Sequence, residues 1–231
     1  MNARLRNRAD AGKRLAARLY RYANRDDVIV LALPRGGVPV AFEVARSLGA
    51  PLDVFIVRKL GVPGREELAM GAIASGGMRV LNDRSVRNLG IPTEAIEAVI
   101  EVEEREMERR ERAYRGARAP LDVRGKTVIL VDDGLATGAT MIVAVEALRT
   151  RRPRAIVVAA GVGAADTCES LARLVGQCGC ALEPPELEAI SKWYDDFTPT
   201  GDDEVRSLLA RADAASIKAL RHQAGSRPSA A

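Results

Sequence analysis

The sequence predicts an α/β protein with an open, twisted, mainly parallel sheet flanked by helices, together with a small hood region and a long exposed helix. Two observations support this fold class. Short apolar runs rich in β-branched residues alternate with helical patterns, which is typical of parallel βαβ units. The runs carry few polar residues, as strands buried on both faces do. With 47% hydrophobic residues, the 231-residue chain can bury a substantial core.

The sequence pattern of residues 1–26 predicts a basic helix that docks on the core through one apolar face. Leu5, Ala9, Leu15, Leu19 and Tyr22 fall near that face. Residues 1–25 hold eight Lys or Arg and one acid, so the opposite face is expected to be basic and solvated. Binding of nucleic acid or of an acidic partner is the minor alternative.

Residues 27–183 are expected to form the α/β core. Its first strand covers residues 28–33 and is followed by a glycine-containing loop at 34–37 and a helix to about residue 48. A second strand, at residues 52–57, runs into two basic residues.

Residues 58–82 are expected to form a flap over the site. Residues 61–67 combine glycine hinges with charges, as mobile active-site flaps do. Residues 70–75 and 79–81 then predict a hairpin around Gly76-Gly77.

Residues 93–118 are expected to form a long helix capped by Thr93. Few apolar residues lie between its charges, so the helix is expected to be exposed or to pack on a second subunit of a homo-oligomer. Each Glu–Arg pair at i,i+4 adds only about 0.2–0.5 kcal/mol, so the pairs explain solubility more than function. The pairs are Glu101–Arg105, Glu106–Arg110, Glu108–Arg112 and Glu111–Arg115.

The most informative stretch is a strand, two acids and a small-residue loop at residues 127–140. Residues 128–131 have the apolar character of a buried strand, and Asp132 and Asp133 stand where that strand is expected to end. Ligands of open α/β sheets bind at this edge. A helix begins near Thr137, and its free N–H groups and dipole suit a phosphate. Because neighbouring carboxylates accept hydrogen bonds from a sugar diol, the pattern predicts a phosphorylated ribose as ligand.

The alternation continues after this stretch and then becomes irregular. Residues 155–160 and 178–182 predict strands, with a helix at 164–175 between them. Residues 184–220 predict a hood region that ends in a helix, and residues 221–231 predict a flexible tail.

The run VILVDDGLATGAT at residues 128–140 resembles the signature with which type I phosphoribosyltransferases bind 5-phosphoribosyl 1-pyrophosphate (PRPP). The resemblance implies that Asp132 and Asp133 hold the ribose diol, with Asp133 as the candidate general base. It departs at Ala136, where many members have Thr. In this stretch the resemblance assigns substrate binding to Asp132, Asp133, Gly134, Ala136, Thr137, Gly138, Ala139 and Thr140.

Two further segments are similar to the same family. The loop at 34–37 matches a pyrophosphate-binding loop that often contains a strained or cis peptide in the family. The basic pair after the second strand resembles a pair that contacts pyrophosphate. These segments assign pyrophosphate binding to Arg35, Gly36, Gly37, Arg58 and Lys59, and the expected catalytic residues are Arg35, Lys59 and Asp133.

The resemblance implies a phosphoribosyltransferase that transfers the phosphoribosyl group to an unidentified base or amine and releases pyrophosphate. It also implies Mg²⁺, which would bridge pyrophosphate and ribose oxygens without a direct protein ligand, Asp132 and Asp133 reaching it through water. The alternative is a PRPP- or nucleotide-sensing regulatory protein without turnover. Trp193 and Tyr194 either stack on a base or pack in the core, and the sequence leaves both open.

Composition restricts the remaining function classes. Aromatic residues make up 3% of the chain, too few for a base-stacking nucleic-acid surface. No apolar run reaches the length of a membrane span. Cys168, Cys178 and Cys180 lack the usual zinc spacing and are expected to be buried, reduced thiols of a cytoplasmic protein.

Overall fold

Helices and strands alternate along the chain as the sequence predicts. The computed structural model describes residues 4–116 and 118–225, with residues 216–225 as backbone only. In chain order the elements are α1 (Arg8–Arg18), β1 (Val28–Ala32), α2 (Gly37–Leu48), β2 (Leu52–Val54), β3 (Val57–Val62), β4 (Arg65–Ala74), β5 (Met78–Leu81), α3 (Asp83–Leu89), α4 (Thr93–Arg115), β6 (Thr127–Leu135), α5 (Ala139–Thr150), β7 (Ala155–Gly163), α6 (Ala165–Val175), β8 (Cys178–Leu182) and α7 (Asp202–Gly225).

A five-stranded parallel sheet in the order β2-β1-β6-β7-β8 forms the centre of the fold. Every residue of β1 is buried, as expected for a strand covered on both faces. One apolar cluster contains the buried residues of α1 and α2, and the other contains those of α5 and α6. The predicted α/β fold class, a mainly parallel sheet flanked by helices, is therefore confirmed.

Strand β6 continues beyond the two acids, although the sequence suggested that the strand ends there. Asp132 pairs with Ala160 of β7, and the ladder runs on to Leu135 and Gly163. On its other side β6 has already lost its partner, because the pairing with β1 stops at Val131. The acids therefore lie where one neighbouring strand has ended and the other still continues.

The predicted strand at residues 52–57 is divided into β2 and β3, which belong to different sheets. Strands β3, β4 and β5 form a separate antiparallel sheet. Arg58 and Lys59 consequently lie inside a paired strand and not at a strand end. The predicted flap at 61–67 is the tip of the β3–β4 hairpin, where Gly64 has φ of +73°. The predicted hairpin around Gly76-Gly77 joins β4 to β5.

Helix α1 docks on the core through the apolar face that the sequence indicates. Leu15 and Leu19 are buried, and Asn7 caps the helix by accepting a hydrogen bond from Asp10 N. A Cβ at Gly12 would overlap the Val40 carbonyl oxygen, so the glycine permits a close approach of α1 to α2.

Helix α4 is anchored more deeply than its charge pattern suggests. The four predicted Glu–Arg pairs are present. Ile96, Ile100 and Met107 are nevertheless buried, and so is Arg115. Thr93 is not the N-cap, because the helix already includes it and Pro92 occupies that position.

The C-terminal region begins with irregular chain and ends in α7. A short 3-10 helix, Ile190–Trp193, is followed by a β-bridge between Tyr194 and Leu5. Helix α7 extends to Gly225, past the predicted end at about residue 220. Residues 226–231 of the predicted tail lie outside the described residues. Within the described ranges, no helix combines the length and apolar character needed to cross a bilayer.

Candidate functional site

The two acids of β6 lie half-buried at the carboxyl edge of the parallel sheet. Asp133 N donates a hydrogen bond of 2.8 Å to the Asp132 carboxylate. Burial and the adjacent charge of Asp133 raise the pKa of Asp132 well above its ordinary value. The edge therefore presents two close carboxyl groups, of which Asp132 holds its proton unusually firmly.

Asp133 is paired with Arg8, a residue that the sequence did not assign to the site. Arg8 Nε lies 2.8 Å from Asp133 Oδ2, with the two side chains 11% and 16% exposed. The Arg8 guanidinium also stacks 3.9 Å from the Phe197 ring centre and donates to the Thr198 carbonyl oxygen. The basic face of the N-terminal helix is therefore not wholly solvated, and a ligand diol must share Asp133 with Arg8 or displace it.

Tyr194 fixes the backbone of the same acid. Its hydroxyl donates a 2.7 Å hydrogen bond to the Asp133 carbonyl oxygen. A Cβ at Gly161 of β7 would overlap this hydroxyl, so the glycine makes the contact possible. Because Tyr194 is only 2% exposed, it packs in the core and is not placed to stack on a base. Trp193 is half-buried and lines a cavity of about 430 Å³ with Pro185 and Glu186.

The loop at 34–37 packs directly against the acids. A Cβ at Gly36 would overlap the Asp133 carboxylate, and one at Gly37 would lie 2.7 Å from the Val131 carbonyl oxygen. Glycine is therefore needed at both positions for this close approach.

The peptide bond between Pro34 and Arg35 is cis, as the family resemblance implied for this loop. The Arg35 side chain is half-exposed and lies 3.7 Å from Asp202 at the start of α7.

The loop from Ala136 to Thr140 leads into α5 beside the acids. Gly138 has φ of +71° and caps the helix, while Ala136, Thr137, Ala139 and Thr140 are exposed. The Thr167 hydroxyl donates a 2.7 Å hydrogen bond to the Ala136 carbonyl oxygen. Amides at a helix start have no partner within the helix and can therefore donate to an anion, although Ala139 N here makes a weak 3.4 Å hydrogen bond to the Thr137 hydroxyl. Gly134 lies beneath Ile190, whose side chain fills the space where a Cβ would stand.

Arg58 and Lys59 line a separate cleft between the β3–β4 hairpin and α4. The cleft has a volume of about 660 Å³ and also includes Val99, Val102 and Glu103. Arg58 forms an ion pair with Glu103, and Lys59 Nζ donates to the Glu67 carbonyl oxygen at 3.2 Å. The structure thus brings together the acids and the loops at 34–37 and 136–140, but not the basic pair of β3.

The oxygen donors at the edge are of the kind that Mg²⁺ accepts. Carboxylates are hard ligands, and Mg²⁺ usually keeps several waters while binding one or two of them together with substrate phosphates. Asp132 and Asp133 fit this role through water, since Asp133 already accepts the Arg8 hydrogen bond.

Known proteins resemble the chain over most of its length. The family model "Phosphoribosyl transferase domain" matches residues 3–170. "Putative phosphoribosyl transferase Rv0571c" of Mycobacterium tuberculosis strain H37Rv is 44% identical over 206 residues, which are 89% of this chain and 46% of that protein. The protein MT0597 of strain CDC 1551, which carries the same descriptive name, gives the same values. The chain therefore spans about half the length of the curated relatives it matches. The crystal structure of TT1426 from Thermus thermophilus is 36% identical, with a TM-score of 0.78, and the match covers 90% of this chain and 98% of that one.

Proposed function

Because the chain belongs to the phosphoribosyl transferase family, we propose that it binds PRPP with Mg²⁺ and transfers the 5-phosphoribosyl group to a nitrogenous acceptor, releasing pyrophosphate. The observation that carries this proposal is the position of the acids. Asp132 and Asp133 stand directly before an exposed helix-start loop, and Gly36 packs against them from a second loop. A diol and two anionic groups can therefore be bound side by side.

The acids and the helix start bind opposite ends of the ribose 5-phosphate in this proposal. Asp132 and Asp133 accept hydrogen bonds from the ribose hydroxyls. Backbone amides of the loop from Ala136 to Thr140, with the hydroxyls of Thr137 and Thr140, bind the 5-phosphate. The acids do not contact the phosphate, because like charges repel.

The pyrophosphate is held by cations and by the glycine loop. Arg35 and the amides of Gly36 and Gly37 are nearest to the acids. Arg58 and Lys59 reach the pyrophosphate after the β3–β4 hairpin moves toward the acids, which requires Arg58 to leave Glu103. When bound, Mg²⁺ neutralises charge on the pyrophosphate and so makes it a better leaving group.

The protein accelerates transfer by positioning and electrostatics. The bond between the anomeric carbon and the pyrophosphate oxygen breaks, the electron pair leaves with pyrophosphate, and an acceptor nitrogen forms the new bond to that carbon. Positive charge develops on the ribose ring, as in glycosyl transfer generally, and the adjacent carboxyl groups stabilise it. Asp133 is the candidate base for the acceptor proton once it is free of Arg8.

The proposed setting is the cytoplasm. The three cysteines are free thiols, and reducing compartments keep thiols in that state. Assembly into a homo-oligomer stays a prediction.

The proposal is tested by pyrophosphate release from PRPP and Mg²⁺ in the presence of a panel of bases and amines, together with calorimetric binding of PRPP. The variant Asp132→Asn with Asp133→Asn is expected to lose at least about tenfold in affinity, because the amides no longer attract the diol protons as carboxylates do. A matched control, Glu101→Gln with Glu108→Gln on the exposed side of α4, makes two carboxyl-to-amide changes elsewhere. If the Asp132/Asp133 variant binds PRPP like wild type, the diol assignment is wrong.

A second candidate function is PRPP sensing without turnover. It is favoured by the ion pair of Arg58 with Glu103, because the proposed contact of Arg58 with the leaving group requires that pair to break, whereas the acids and the helix-start loop can bind the sugar phosphate without it. Saturable PRPP binding with no pyrophosphate release across the whole panel would select the sensor.

A further inference from the structure

Three cysteine thiols meet at the edge of the parallel sheet, where α6 packs on β8. Cys178 and Cys180 are alternate residues of the edge strand β8 and therefore share a face. Cys168 approaches them from α6. The three Sγ atoms all lie within 4.8 Å of one another, and those of Cys168 and Cys180 are 2.9 Å apart. The cysteines are free thiols, as the sequence predicted, but Cys178 is only half-buried and the convergence of the three was not predicted.

Gly163, the last residue of β7, provides the space for this cluster. A Cβ at this position would overlap the Sγ atom of Cys180 and would lie 2.5 Å from that of Cys168. Ala or any larger residue would therefore force the two sulfurs apart. The packing of β7, α6 and β8 therefore leaves room for three sulfurs at one place.

The three thiols interact directly with one another. Hydrogen bonds with Cys178 and Cys180 lower the pKa of Cys168 to about 4. The hydrogen bond with Cys168 raises the pKa of Cys178 to about 12. Sulfur ligands grouped in this way are the kind that soft metal ions select.

We propose that Cys168, Cys178 and Cys180 form a binding site for a single thiophilic d¹⁰ cation, Zn²⁺ or Cu⁺. On binding, three metal–sulfur bonds form and the protons of the cysteine thiols pass to solvent. Metal–sulfur bonds of about 2.3 Å place the sulfurs about 3.8–4.0 Å apart. All three sulfurs already lie within 4.8 Å of one another, and those of Cys168 and Cys180, 2.9 Å apart, move apart by about 1 Å to take the ion.

The surroundings of the cluster fit an ion better than a disulfide. A disulfide between Cys168 and Cys180 leaves Cys178 without a role, whereas a metal ion uses all three sulfurs. Cys178 is half-buried and gives the ion an entry path, while Cys168 and Cys180 are buried. Arg18, which also pairs with Glu183, donates to the Cys180 carbonyl oxygen and so connects α1 to this edge strand.

The site is close enough to the proposed phosphate loop to influence its order. Thr167, the neighbour of Cys168 in α6, donates to the Ala136 carbonyl oxygen. Leu171 of the same helix lies next to Gly138. A bound ion that fixes α6 to β8 would therefore hold the outer side of this loop. Metal binding itself does not depend on the phosphoribosyl chemistry being correct.

The test is a titration of the reduced 231-residue chain with Co²⁺ as a spectroscopic probe. Displacement with Zn²⁺ and a separate competition for Cu⁺ against a chromophoric chelator follow. A saturable sulfur-to-cobalt charge-transfer band with one ion per chain is expected. Cys178→Ser, at the half-buried position, should weaken affinity at least about tenfold, because one of three metal–sulfur bonds is lost. Ser170→Ala on the exposed side of α6 is the matched control and should bind like wild type.

Two results would overturn the proposal. One is that the protein shows neither a charge-transfer band nor Cu⁺ retention, although all three of its thiols react with a thiol reagent after unfolding and were therefore reduced. The other is recovery of a single reactive thiol, which means that two cysteines have closed into a disulfide even under reducing conditions. Thermal unfolding of each variant verifies that it is folded.

Discussion

Asp133 is the residue on which the proposed chemistry depends most, and distant parts of the chain determine its surroundings. Arg8 pairs with its carboxylate, Tyr194 holds its carbonyl oxygen, and Gly36 lies against its side chain. Two of these contacts come from the N-terminal helix and from the C-terminal hood region. The state of one carboxylate therefore reports on the packing of both chain ends.

Replacement of Arg8 by Ala is expected to lower the free energy of unfolding by about 1–3 kcal/mol. The pair is mostly buried, and removing one partner leaves Asp133 partly desolvated without its cation, which costs more than loss of an exposed pair. The loss of the Phe197 contact adds to the effect. Urea denaturation of both proteins measures the difference.

Arg6→Ala is the matched control for this prediction. Arg6 also forms an ion pair, with Asp10, but its side chain is 75% exposed. Its removal should cost less than about 1 kcal/mol. Equal losses in the two variants would show that the Arg8–Asp133 pair has no special weight.

At the scale of elements, the C-terminal end of α4 is the main connection between the long helix and the parallel sheet. Arg115 lies 2.9 Å from Asp53 of β2 and donates a 2.6 Å hydrogen bond to the Val54 carbonyl oxygen. Tyr114, the preceding residue, donates to Asp202 at the start of α7. One turn of α4 therefore contacts both the sheet edge and the C-terminal helix.

We expect Arg115→Ala to destabilise the protein by about 3–5 kcal/mol. The change leaves the buried carboxylate of Asp53 without its guanidinium partner. Arg112→Ala, on the exposed side of the same helix, should cost less than about 1 kcal/mol because its pair with Glu108 is solvated. Denaturant midpoints with unchanged slopes measure both effects, and similar losses would contradict the anchoring role.

The contact between α4 and α7 should also produce a stability loss at alkaline pH. Burial and the hydrogen bond to Asp202 raise the pKa of Tyr114 to about 12, from an ordinary value of 10.0. Between these values the folded protein keeps a proton that the unfolded chain has lost. Stability therefore falls as the pH rises through this window.

Tyr114→Phe is expected to make this alkaline fall less steep. Unfolding by urea at a series of pH values between 10 and 12 provides the measurement. Tyr20→Phe is the control, because it removes a phenol at a position that is 73% exposed. A wild-type slope in the Tyr114 variant would show that this phenol does not contribute.

At the scale of the whole molecule, the candidate site lies where several separate layers meet. The parallel sheet supplies the acids, α1 supplies Arg8, and the hood region supplies Tyr194 and Phe197. In the proposed function the antiparallel sheet contributes its basic pair after the β3–β4 hairpin moves. Ligand binding should therefore stabilise the molecule as a unit.

PRPP with Mg²⁺ is expected to raise the thermal midpoint of the full chain. A ligand that binds only the folded state adds about 2.7 kcal/mol at a free concentration a hundred times its dissociation constant. The Asp132→Asn, Asp133→Asn variant should show no comparable shift, and pyrophosphate alone should give a smaller one. An identical shift in wild type and variant would locate the ligand elsewhere.

The sequence by itself determined the fold class and the local patterns. Buried strands, the acid–loop–helix order of residues 128–140 and the i,i+4 pairs of α4 all depend on neighbours within a few residues. The same is true of the glycine loop at 34–37. Such features can be read from a single chain because their physical cause is local.

Only the tertiary structure decided which side chains from distant parts of the chain contact one another. Arg8 and Asp133 are 125 positions apart, and no local pattern connects them. The separation of Arg58 and Lys59 from the acids, the burial of Tyr194 and the meeting of three sulfurs likewise follow from how sheets and helices pack. Long-range contacts form where burial and charge are satisfied together in three dimensions, and residue spacing along the chain does not encode that.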